Sequence, residues 1–212
     1  MQQENVGASN HPLLGWLLVA GPVLFMIGAF GWKPWDFDRP LEHALPRIAA
    51  QPLLWRWIHG WIGLGVVVSA AALASFQSLA CERGERVLAP FAAVLYALGA
   101  GAMLLTLTFR LTVEVAAADQ TVAAGRIPTA YLPLHQWAGM LFSSYMLLSH
   151  LAAMALGISV LRVGTLQAWV GPSALALGLL LGTGYVVVGN VFSMPILAQI
   201  VPLILGIALL RR

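Results

Sequence analysis

Residues 57–80 read WIHGWIGLGVVVSAAALASFQSLA, a run with no Asp, Glu, Lys or Arg. A helix rises about 1.5 Å per residue, so a run of roughly 20 apolar residues crosses a hydrocarbon core about 30 Å thick. The run lacks the strict apolar–polar alternation that a membrane strand requires. It is therefore read as a transmembrane helix, with His59 near one end.

The same reading extends along the chain in both directions. Pro12 to Trp32 is uncharged. The run at 57–80 is preceded by Pro52, a residue suited to a first helical turn. Val87 opens a stretch uncharged as far as Arg110, with helical character to about Ala124 and Gly125 as its C-cap. Further runs lie at Leu132–Leu161, closed by Arg162, at Val170–Asn190 and at Ser193–Leu210. The expected fold is all-α: one domain, residues 1–212, with six transmembrane helices near 12–32, 57–80, 87–117, 132–161, 170–190 and 193–210.

Composition supports this reading. Apolar residues make up 60% of the chain and charged residues 9%, with a mean hydropathy of +0.85. A soluble domain carries about 25% charged residues, so a water-soluble enzyme and a disordered tail are both excluded. The net charge of +3 comes from scattered residues without a basic stripe, which excludes nucleic acid as a partner. The single cysteine, Cys81, rules out an intramolecular disulfide or a cysteine zinc cluster. The lipid bilayer is the expected partner, together with other membrane subunits.

Six crossings put both termini on one side, here side A, with Arg83, Arg86, Arg162, Arg211 and Arg212. Side B holds Lys33, Arg39, Arg47, Arg56 and Arg126, with Arg110 at its border. Short loops carry the orientation signal, so side A is expected to be cytoplasmic, in a bacterial inner membrane. No Lys or Arg precedes the first apolar run, which is read as a retained helix rather than a cleaved leader.

The first outer loop, Lys33–Gln51, is too short to fold alone. Leu41, Leu45 and Ile48 recur at helical spacing, and Asp38 can cap a helix starting at Arg39-Pro40. A short interfacial helix is expected there, broken or kinked by Pro46, with Trp32, Trp35, Trp55, Trp57 and Trp61 as aromatic-belt anchors. Gly178 and Gly182, and the patch Gly99–Ala102, mark close helix packing within the chain. Pro202 predicts a kink in the last span.

Polar groups at membrane depth mark candidate sites, because burying them in hydrocarbon is costly. Counting back from the side A boundaries puts His59, Arg110, Glu114 and His135 at one depth near side B, on three helices. Asn190 and Gln199 are assigned to the same half. Arg110 and Glu114 stand one turn apart and pair on one face. Three readings stay open for the four residues: an interfacial anchor, a metal site of imidazoles and a carboxylate, and a pocket for an anionic or polar small molecule with Arg110 as counter-charge. His150 sits near the bilayer middle and needs a partner, expected on Tyr96 or Ser69. It is read as a core histidine or as an axial ligand to haem or chlorin, and His59 with His135 as a ligand pair near side B. The sole lysine, Lys33, lies in a loop, which excludes a retinal Schiff base within the spans.

The long first outer loop, the charged turn CERGER at 81–86, the second outer loop before a long fourth span and the turn LRVGTLQAW at 161–169 are shared features of architecture. In them the chain resembles a broad group of small bacterial six-span membrane proteins of unknown function. The resemblance implies the fold and carries over no site residue. Three functions follow for the chain: a non-catalytic accessory or scaffold subunit, taken first; a transporter or binder using the side B pocket; and a haem- or metal-binding redox protein.

Reporter fusions after Glu4 and after Arg212 are expected to report the same compartment, the cytoplasm. Opposite readouts would mean an odd number of crossings.

Overall fold

A computed structural model describes residues 11–31, 40–164, 166–188 and 194–211. The described residues are helical and contain no strand. In chain order the helices are α1 (His11–Gly31), α2 (Leu41–Ala50), α3 (Pro52–Glu82), α4 (Leu88–Phe109), α5 (Val115–Ala124), α6 (Tyr131–Val163), α7 (Val170–Val188) and α8 (Ile200–Leu210). A π-helical turn, Arg110–Glu114, joins α4 to α5, and a 3-10 turn, Pro195–Gln199, leads into α8. Five continuous helical stretches are long and apolar enough to cross a membrane: α1, α3, α4 through α5, α6 and α7. The protein is a helical membrane bundle.

The sixth segment is the shortest, as expected; Ser193, its expected start, lies outside the described residues. Pro195–Leu210 covers about 26 Å, less than the hydrocarbon thickness, and its α-helical part starts only at Ile200. Pro202, read as the site of a kink, lies in the first turn of α8, just after the 3-10 turn gives way to α-helix.

The five long stretches and this segment close into a ring: α1 packs on α3, α3 on α4, α4 on α6, α6 on α7, and α8 between α7 and α1. Close approach depends on glycine. A methyl group at Gly65 would overlap the backbone of Phe25, and one at Gly157 that of Leu175. Gly178 of the GxxxG pair packs on the His150 carbonyl and Met154, so its contact is within the chain. Gly15 and Gly206 lie against each other where α1 crosses α8.

Local signals set the ends. Gly125 and Gly164 close α5 and α6 in the left-handed region, at φ of 67° and 58°. In the CERGER turn, the Glu85 carboxylate accepts hydrogen bonds from the backbone N–H of Val87 (3.0 Å) and Leu88 (2.9 Å). The Leu88 and Val87 bonds hold that carboxyl below its usual range, with a smaller contribution from the charge of Arg162. This contribution to stability is complete above the ordinary carboxylate range and fades as pH falls through the lowered value.

α2 is amphipathic, buries Leu45 and Ile48, and packs on α5. It runs unbroken through Pro46, contrary to expectation. The proline removes one backbone bond, and the two buried side chains hold the turn against α5. Asp38, Trp32, Trp35, Lys33 and Asn190 lie outside the described residues. Of the remaining tryptophans expected as belt anchors, Trp57 is 60% exposed, whereas Trp55 is buried in the bundle.

The ring interior is closed by one polar side chain. Gln199 is 1% exposed. Its Oε1 accepts the Ser69 hydroxyl of α3 at 2.8 Å. Its Nε2 donates to Tyr96 of α4 at 3.0 Å and to Tyr145 of α6 at 2.9 Å. Gly21 of α1 lies directly over Ser69, leaving no room for a side chain there. The expectation that Gln199 belongs to the side B half is corrected: it stands level with Gly21, the midpoint of α1.

Interhelical hydrogen bonds in bilayers average about 0.6 kcal/mol, so three amount to about 2 kcal/mol. Gln199→Ala is expected to destabilise the protein by about that amount in reversible unfolding from bilayers or detergent. Adding Ser69→Ala, Tyr96→Phe and Tyr145→Phe removes the stranded hydroxyls and is expected to recover part of the loss.

Candidate polar site at the side B end

On α3, Trp55 and His59 are one turn apart. The Trp55 carbonyl can only accept, so His59 Nδ1 carries the proton in their 2.8 Å bond, and Nε2 is left with its lone pair. The two rings lie 4.1 Å apart between centroids. Trp55 is also turned toward α4: its indole N–H donates to the Arg110 carbonyl at 3.0 Å. Arg110 opens the π-helical turn, where the i→i−4 ladder gives way to a wider one.

The same turn stacks Arg110 over Glu114. Arg110 Nη1 reaches Glu114 Oε2 at 3.4 Å, with side chains 30% and 5% exposed. The second carboxylate oxygen, Oε1, accepts the Tyr131 hydroxyl of α6 at 3.0 Å. Since that phenol donates to the carboxylate, the 3.1 Å contact between Tyr131 and His135 has His135 Nδ1 as donor. Phe109 stacks on Tyr131 with centroids 5.9 Å apart, and His135 lies against both rings. Arg110 is a charged neighbour of both His59 and His135, and Glu114 is a second one of His135.

The structure thus brings His59, Arg110, Glu114 and His135 together, and it adds two residues that the sequence reading does not assign to the site, Tyr131 and Trp55. Tyr131 lies one turn before His135, and Trp55 one turn before His59. Each spacing was visible, but nothing in it showed that the aromatic group turns inward. The π-helical turn that aligns the ion pair has no sequence signature in RLTVE.

Among the described residues no three His, Cys, Asp or Glu side chains converge to hold a metal ion. An open recess of about 470 Å³ lies beside the cluster, at the α5–α6 connection, lined by Gln120, Arg126, Thr129 and Ala130 among others. Ala130 is the residue before Tyr131, so the recess adjoins the start of α6 that carries the phenol.

His150 lies apart from this cluster. It faces Gly178 and Gly182 of α7, and its buried Nε2 has no hydrogen-bond partner among the described residues. The partners expected for it, Tyr96 and Ser69, bond to Gln199 instead. Comparison with family models, with curated proteins and with solved structures finds no match.

An unpaired buried polar atom costs about 1–3 kcal/mol. His150→Leu is therefore expected to leave the Tm unchanged or raise it. A drop of several degrees would show that the imidazole has a partner.

Proposed function

We propose that the protein crosses a bacterial inner membrane six times, with both termini cytoplasmic and α2 lying in the outer interface. The working part in this reading is the side B cluster, a binding or transport site for a small anionic molecule. Arg110 carries it. A guanidinium has five N–H donors, and the ion pair engages one of them at a long 3.4 Å. The side chain is one-third exposed, and its backbone is pinned by Trp55. A cation so placed offers a fork to a carboxylate or phosphate. His59 Nε2 and His135 Nε2 add acceptors for any hydroxyl or N–H on the same ligand.

A second reading, the accessory subunit, rests on Gly101 of α4 and Gly139 of α6. These neighbouring helices each present a glycine with nothing within 4 Å of where a side chain would stand. Open glycines of this kind let a partner helix approach closely. Recovery of a stoichiometric partner in mild detergent supports it.

The anion reading is tested with the purified full chain and a panel of phosphate, sulfate, acetate and benzoate, scored by thermal shift. A ligand at 100 times its Kd stabilises by about 2.7 kcal/mol. Arg110→Lys, which keeps the charge that Glu114 needs but loses the fork, is expected to lose most of that shift. A panel in which no anion stabilises the wild type beyond Arg110→Lys overturns the reading.

A further inference from the structure

We infer that Glu114 is a proton-binding site fed from side B through His135 and Tyr131, and that its protonation releases Arg110 for the anion. The inference rests on the anion reading only for its last clause. Three observations carry it. Glu114 is buried, so a direct path from water to its carboxylate is closed. His135 is only half-buried. Between them the donors run one way: His135 Nδ1–H to Tyr131 Oη at 3.1 Å, and Tyr131 O–H to Glu114 Oε1 at 3.0 Å.

The transfer balances atom by atom. A proton from the side B solution adds to the lone pair on His135 Nε2. The Nδ1 proton passes to Tyr131 Oη as the phenolic proton passes to Glu114 Oε1. The imidazole returns neutral as its other tautomer, the phenol is regenerated, and the carboxylate becomes a carboxylic acid. Every group keeps a partner afterwards, with the direction reversed: Glu114 O–H donates to Tyr131, and Tyr131 donates to His135 Nδ1. Arg110 then faces a neutral acid rather than a carboxylate, and its positive charge is available to an anion. Anion binding therefore strengthens as pH falls.

The groups around Glu114 are accounted for from each packed element. Arg110 shares its helix, Tyr131 and His135 come from α6, and His59 of α3 stands next to Arg110. α2 contributes Glu42, His43 and Arg47, all at exposed positions, as are Arg56 on α3 and Asp119 on α5. The Tyr131 bond and the Arg110 bond hold the carboxylate.

The test uses the full chain in phosphatidylcholine vesicles and infrared difference spectra after a downward pH jump. The wild type is expected to show a protonated-carboxyl C=O band that Glu114→Gln lacks, the other carboxyls contributing equally to both. Tyr131→Phe keeps the carboxylate but cuts the path, and is expected to slow the rise of that band by about tenfold or more, as for loss of a positioned proton donor. Identical bands in wild type and Glu114→Gln overturn the inference. An unchanged rate in Tyr131→Phe also overturns it, and decides alone where Glu114→Gln does not fold. The band and its slowing in a protein that binds no anion leave the proton site standing and sink the anion reading. Anion binding with no Glu114 band does the reverse.

Discussion

A bilayer interior offers no water to a polar group, so a side chain buried there must find its partners in the protein. Gln199 finds three, on α3, α4 and α6, and the arrangement of the ring follows from that demand. The segment that carries it begins as a 3-10 turn and becomes an α-helix only at Ile200. Irregular backbone is tolerated there because its Ala198–Gln199 end is buried in protein. Gly21 completes the enclosure, since any side chain there would displace Ser69.

The three helices tied by Gln199 are the same three that carry the polar cluster. α3 brings Trp55 and His59, α4 leads into the Arg110–Glu114 turn, and α6 brings Tyr131 and His135. A single amide in the bundle centre thus fixes the relative positions of the elements whose far ends build the candidate site. Within the site a second device acts locally. The π-helical turn carries Arg110 and Glu114, and the indole of Trp55 ties α3 to it by donating to the Arg110 carbonyl. The recognition of an anion at Arg110 and the supply of protons to Glu114 are readings of that geometry.

Much of the fold was legible because hydrophobic length is a physical requirement. Four of the expected spans end within a few residues of α1, α3, α6 and α7, and Gly125, read as a C-cap, takes the left-handed conformation; the cap at Gly164 is found only in the structure. The depth of His59, Arg110, Glu114 and His135 followed from counting residues, because rise per residue is nearly constant. What counting cannot supply is the direction a side chain faces. Trp55 has the sequence position of a lipid anchor and is buried, and nothing in the sequence marks Tyr131 as inward-facing. Near the bilayer middle the sequence points to His150, because an imidazole there is costly. The group that gathers the partners is Gln199, whose depth depended on where α8 starts, and a proline-flanked 3-10 turn leaves no periodic trace from which to read that.

The account stands on Gln199 bridging two phenols inside the membrane, and with four tyrosines in the chain this is directly observable. Magic-angle-spinning NMR in lipid bilayers, with nitrogen-labelled glutamine side chains and tyrosine labelled at the carbon bearing the hydroxyl, reads the contact. Cross-peaks from one glutamine amide to both Tyr96 and Tyr145, vanishing together in Gln199→Ala, are the predicted result. Contact with only one of the two tyrosines, or with neither, would contradict the closed ring and the placement of the site that depends on it.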